Sequence, residues 1–152
     1  MFCKYNSKNS MKRIQLHISK EVNGMSTSST APVPSEADHL LVKKYMMHIL
    51  MLDVLEQDIH TIQHVSLHMP QLYVHHLTRI QMDVTRNLTD IRIQMRRGGI
   101  RIYEENKLRE GFEMRYLCRG YHRRLYLLWT FCKTEVMKEM SERLGIDLTE
   151  LS

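Results

Sequence analysis

The stretch RRGGIRIYEENKLREGFEMRYLCRGYHRR, Arg96 to Arg124, decides the fold, because the residues before it follow a helical period and these do not. Ile100 and Ile102 alternate with Arg101 and Tyr103, and Phe112, Met114 and Tyr116 alternate with Glu113 and Arg115, across a polar turn closed by Gly111. Period-two alternation with β-branched and aromatic side chains puts one residue on an apolar face and its neighbour on a charged one, which predicts a β-hairpin. Gly98 and Gly99 end the preceding helix, and Arg96 and Arg97 place cations against its negative terminus.

Upstream, Leu41, Tyr45, His48, Leu52, Leu55, Ile59 and Ile62 recur at spacings of four and three, which predicts a long amphipathic helix from Ala37 to about Leu67. Ser35 is its expected N-cap, with the Asp38 carboxylate in the first turn. Val42, Met46, Ile49, Met47, Met51 and Val54 widen the stripe on both sides, so residues 40–55 are expected to be contacted from more than one direction, with the methionines as core filler. Pro70 breaks the pattern and suits the first turn of a second helix. That helix carries Tyr73, Leu77, Ile80, Val84, Leu88, Ile91 and Met95 on one face, and the short connection predicts an antiparallel pair. Beyond the hairpin, helix is expected again from about Tyr121, through LYLLWTFC, to Leu144 with Gly145 as its C-cap. Residues 125–132 are apolar nearly all round, so this helix, with Trp129 and Phe131, is expected at the centre of the core. The fold class that follows is α+β, predominantly α: an antiparallel helical hairpin, a β-hairpin, then a buried C-terminal helix.

The expected organisation is a single domain over residues 37–146, a disordered Ser/Thr/Pro-rich lead-in at 25–36 and a short tail at 147–152. Residues 1–24 are polar and basic and lack the apolar centre of a secretory signal. They faintly resemble a mitochondrial presequence. The favoured reading is that they are not translated, since Lys20 to Gly24 ahead of Met25 can be encoded by a purine-rich bacterial ribosome-binding sequence. Met1, Met11 and Met25 all remain open as the start. Three cysteines, Cys3, Cys118 and Cys132, are too few and too scattered for a disulfide framework or a zinc knuckle. With no apolar run near the roughly 20 residues that span a bilayer, the expectation is a cytoplasmic protein with no membrane association.

Charge is unevenly placed. Of the 22 basic and 17 acidic residues, five basic and one acidic lie in residues 1–24, so residues 25–152 carry only +1. Within them, residues 92–124 carry +6, flanked by −3 over residues 36–91 and −2 over residues 125–152. Nine of the ten cations in the basic stretch are arginines, the side chain suited to bidentate contact with carboxylate or phosphate. The candidate partner-binding residues are therefore Arg96, Arg97, Arg101, Arg115, Arg119, Arg123 and Arg124, with Tyr103 as a stacking group. A protein partner or a homodimer is favoured over nucleic acid, which a basic β-ribbon can also engage. The competing reading is that these arginines pair with local glutamates or with the acidic helices and close the domain.

One further spacing carries chemistry. His60, His64 and His68 stand four apart, as zinc ligands on one helix face do, and His76 beyond the break is a candidate further ligand. At about 100° per residue the row lies more than 90° from the apolar stripe, so it is expected to face solvent. HExxH, GxSxG, the Walker loop and the dinucleotide fingerprint are all missing from the sequence. The functional expectation is a small bacterial, non-enzymatic binding or regulatory protein without a cofactor, acting through its basic hairpin. The alternatives are a nucleic-acid-binding protein using the same hairpin and a metal-dependent helical-bundle enzyme using the histidine row.

Overall fold

The computed structural model describes residues 32–151. The expected extension at 1–24 and most of the expected lead-in lie outside the described residues; residues 32–35 are irregular and Glu36 already begins a helix. The order is α1 (Glu36–His64), α2 (Pro70–Arg97), β1 (Ile100–Lys107), β2 (Gly111–Cys118), β3 (Tyr121–Leu128), α3 (Trp129–Leu144) and a 3₁₀ turn (Leu148–Leu151) where a tail was expected. The fold is α+β and predominantly α.

Ser35 begins α1 as its sequence suggests. Its hydroxyl accepts the Asp38 amide, and its own amide donates to Asp38 Oδ2 at 2.8 Å, a reciprocal capping box. From that start α1 is buried on most of its circumference: Val42, Met46, Met51 and Leu55 are wholly enclosed, and Met47 and Leu50 nearly so. The sheet, α2 and α3 all pack on it. The methionines at 46, 47 and 51 are core, since an unbranched thioether fills the irregular space between a sheet and two helices. His48 is enclosed with them, its Nδ1–H donating to Lys44 O at 2.9 Å. The second helix buries Ile80, Val84, Leu88, Ile91 and Met95, one stripe as the spacing requires.

The residues expected to open a C-terminal helix instead form a third strand. Sheet order is β1-β2-β3, antiparallel throughout. Arg119 and Gly120, with φ of 51° and 89°, make the two-residue turn that sends the chain back. Residues 125–132 look apolar all round because a strand and a helix divide them. Leu125 and Leu127 point into the core, while Tyr126 and Leu128 lie on the other face, 38% and 50% exposed. The helix begins only at Trp129 and buries Cys132 and Val136, with Phe131 39% exposed. The centre of the core is thus α1, not residues 125–132.

The sheet has two chemically distinct faces. Ile100, Phe112, Met114, Tyr116, Cys118 and Leu125 cover the inner one. Along β1 the alternation slips at Tyr103, where the register shifts between Ile102 and Glu104. The bulge turns Glu105 and Lys107 inward, and each meets α1: Tyr45 Oη donates to Glu105 at 3.3 Å, and Lys107 Nζ pairs with Asp53. It leaves Glu104 and Asn106 on the outer face beside Arg115 and Glu113.

Two sites hold this arrangement in register. Gly111 lies where β2 begins, and a Cβ there would stand 2.4 Å from Leu127 O and 2.7 Å from the Tyr126 ring. Arg119, a non-glycine residue at positive φ, is held from its far end. Its guanidinium donates to Asp38 at 2.9 and 3.1 Å and to Val33 O at 3.2 Å. Asp38 thereby joins the start of α1 to the β2–β3 turn. Its carboxyl is held below the usual carboxylate range, first by the Ser35 amide and then by the Ser35 hydroxyl and Arg119, against the opposing effect of burial.

Gly111→Ala is expected to lower unfolding stability by about 1–3 kcal/mol, since the nearest obstacle is backbone that cannot swing aside; a denaturation midpoint equal to wild type would show that the sheet can open there. Asp38→Ala and Arg119→Ala, measured singly and together, are expected to couple by about 1–3 kcal/mol. Because the folded-state pKa of Asp38 is depressed, its contribution is present above the ordinary carboxylate range and lost as pH falls below about 4. Asp38→Asn should therefore flatten the acid limb of the stability curve, which urea titrations between neutral and acid pH would measure.

Candidate functional site

The outer face of the sheet and the ends of the elements around it gather most of the predicted cations. Cross-strand register places Arg101 of β1, Leu117 of β2 and His122 of β3 in one row, and Glu104, Arg115 and Arg124 in the next. Tyr103, at the bulge, reaches over the sheet so that its hydroxyl lies 3.2 Å from His122 Nδ1, with the rings edge to face. Arg96 and Arg97 end α2 immediately before β1, and the β2–β3 turn closes against that junction, where Arg119 N donates to Gly99 O at 3.0 Å.

These cations divide into two groups. Arg115 donates to Glu113 at 3.0 Å and to Glu104 at 3.1 Å, and Arg124 reaches Glu113 at 3.4 Å. The two carboxylates raise the pKa of Arg115 further and hold it charged, Glu104 first and Glu113 next. Glu113 is only 5% exposed although it lies on the solvent-facing side, because Arg115 and Arg124 fold over it. Arg119 is committed to Asp38, and Arg92 lies over the Tyr45 ring at 5.7 Å. For Arg115, Arg119 and Arg124 the domain-closing reading therefore has a structural basis. Arg96, Arg97, Arg101 and Arg123 form the other group: they are exposed, and among the described residues their guanidinium groups make no ion pair or hydrogen bond.

The histidine row does not hold together as its spacing suggested. α1 ends at His64, with Val65 extended, because reversing the chain ahead of Pro70 uses residues 65–69. His68 thus falls in the connection and leaves the helical row. His60 and His64 stack with ring centroids 4.2 Å apart, and His64 Nδ1–H donates to His60 O at 2.7 Å. His76 lies on α2, exposed like the other three. Among the described residues no group of three or more His, Cys, Asp or Glu side chains is placed to share a metal ion.

Nucleophilic chemistry has no better footing. Cys118 and Cys132 are buried and free. Burial pushes the Cys132 thiol up to about 11, and burial together with the Asp38 carboxylate raises that of Cys118, so at neutral pH both stay protonated. Two open grooves flank α2, one lined by Leu52, Glu56, Gln81, Met82, Thr85 and Arg86, the other by Gln63, Pro70, Gln71, Val74, His75 and Thr78. Neither brings together a nucleophile, a base and an oxyanion donor.

Three features of the site were missed in the sequence: the third strand that carries His122, Arg123 and Arg124, the bulge at Tyr103 and the burial of Glu113. The Arg119-Gly120 pair, a two-residue turn followed by Leu125 and Leu127 at spacing two, was the available signal for the first. No helix among the described residues is long and apolar enough to cross a membrane. No curated protein and no solved structure matches the chain at a significant level. The family model of the YhjD protein matches residues 33–148, from just before the α1 cap to the final 3₁₀ turn, and the chain belongs to that family.

Proposed function

We propose that this chain is a small non-enzymatic binding protein that docks an acidic surface of a partner protein on the arginine-bearing end of its sheet. What carries the reading is the second group of cations. Arg96, Arg97, Arg101 and Arg123 stand exposed at one end of the sheet, and Asp38, Glu104 and Glu113 are already engaged by Arg119, Arg115 and Arg124. Such cations remain available to an incoming carboxylate without first breaking an internal pair. Their guanidinium groups suit bidentate contact, and Tyr103 and His122, in contact with each other beside Arg101, supply aromatic surface next to them. Domain-level charge agrees: the acidic helices flanking this stretch leave the chain nearly neutral from residue 25 onward, so attraction is local to the patch and not a general affinity for polyanions.

The test sets an acidic polypeptide against nucleic acid. Polyglutamate is expected to bind more tightly than duplex DNA at equal salt, and the Arg101→Glu/Arg123→Glu variant is expected to weaken polyglutamate binding about tenfold or more, mainly through slower association. DNA binding tighter than polyglutamate, with a steep salt dependence, would transfer the patch to nucleic acid. No binding of either would remove the reading.

A further inference from the structure

We propose that β3 is a docking edge, which takes up an extended acidic segment of the partner protein as a fourth strand of the sheet. The proposal rests on the acidic-partner reading above and adds where and how the partner engages.

Strand order leaves β3 paired on one side only, with β2. The turn at Arg119 and Gly120 has two residues, so Cys118 and Tyr121 close it as a hydrogen-bonded pair and the pairs alternate from there. His122, Arg124 and Tyr126 then occupy the wide pairs, and their amide and carbonyl groups point away from β2 toward the open edge. Among the described residues no backbone or side-chain group answers them; the backbone bond at the end of this strand is made by Trp129, to Glu110 O at 3.0 Å. The opposite edge differs. β1 is broken by the bulge at Tyr103 and carries Glu104 and Glu105, a common way of blunting an edge, whereas β3 keeps an unbroken register along its whole length.

Charge selects the occupant. Arg123 lies on the inner side of β3 and Arg124 on the outer side, so cations flank the open edge on both faces. A second copy of β3 laid alongside would bring two such sets within about one strand spacing of roughly 4.8 Å, and the repulsion disfavours it. An acidic strand meets the same cations favourably. Arg123 has no ion pair among the described residues, and the Arg124 guanidinium, 66% exposed, makes a 3.4 Å contact with Glu113 that leaves room for another carboxylate. Further along, half-buried Leu127 and exposed Leu128 offer apolar surface, so an alternating acidic and apolar segment matches the edge.

A synthetic peptide of alternating Glu and Val supplies the probe, and His122 supplies the variant, since it has an edge-facing amide but none of the arginine charge. Proline is tolerated on an edge strand where its missing N–H faces solvent. His122→Ala removes the imidazole alone and sets the reference, and His122→Pro is expected to bind the peptide at least about tenfold more weakly than His122→Ala, through loss of one strand-to-strand hydrogen bond and the register it fixes. In the wild-type complex the amides of Arg124 and Tyr126 should exchange more slowly than in the free protein, a readout independent of whether His122→Pro folds fully. Equal peptide affinity of His122→Pro and His122→Ala, with no added protection on β3, would overturn strand addition. So would a peptide that fails to bind while polyglutamate binds, in which case the acidic-partner reading survives without it; failure of both ligands removes that reading as well. Wild-type dimers in light scattering, with β3 amides protected before any peptide is added, would assign the edge to a second copy instead.

Discussion

A single carboxylate ties the two halves of this fold together. Asp38 caps the first turn of α1 through Ser35 and, from its other side, receives the guanidinium of Arg119. Arg119 occupies a left-handed backbone conformation, which costs a non-glycine residue of order 1 kcal/mol. The contacts at its far end, with Asp38 and with Val33 O, offset that cost. The consequence reaches further than one turn. If the chain did not reverse at Arg119 and Gly120, residues 121–128 would be free to continue into α3 as helix, and the sheet would end at β2. The central helix, fixed at its start by the same carboxylate, is the surface on which the sheet closes.

The sequence shows clearly those elements whose local pattern agrees with their final environment. Ser35 and Asp38 mark a helix start by chemistry that acts within one turn, and the structure places them as a capping box. The stripe on α2 is legible because that helix packs on one side only. Residues 40–55 read as a wide stripe because three elements cover them. Illegibility begins where burial depends on distant partners. Arg123 occupies an inner-face position yet is charged, because no helix covers β3 there, so the expected alternation of apolar and polar residues is absent from the first half of that strand. LYLLWTFC follows, and its unbroken apolar run satisfies a strand of alternating exposure joined to a helix as well as it satisfies one buried helix. At Tyr103 the bulge exchanges the faces of Glu104 and Glu105, and two adjacent glutamates give no sign of which will face inward.

The candidate site follows the same division. The sequence located the arginines but could not sort them, since ion pairing is set by cross-strand register. Arg115 and Arg124 converge on Glu113 because β2–β3 pairing puts Arg115 opposite Arg124 with Glu113 and Tyr126 as the next pair on that face. Two arginines directly opposite one another would repel, and the buried Glu113 carboxylate between them relieves that repulsion. Residues His60, His64 and His68 show the converse: a spacing legible in the sequence lost its meaning once the helix ended at His64.

The sorting also bears on the proposed docking, since it lets a chain of nearly balanced charge present a locally basic surface. Together the internal pairs engage three arginines, Arg115, Arg119 and Arg124, and three carboxylates, Asp38, Glu104 and Glu113, which leaves the guanidinium groups of Arg96, Arg97, Arg101 and Arg123 unpaired among the described residues. They stand beside an edge whose backbone groups are open, with arginine side chains on both faces to keep like strands apart. An edge guarded only by sterics would refuse every strand. On the docking proposed for β3, an edge guarded by charge would disfavour its own copy and admit a strand of opposite sign, so the same arginines would both keep like strands apart and select the partner.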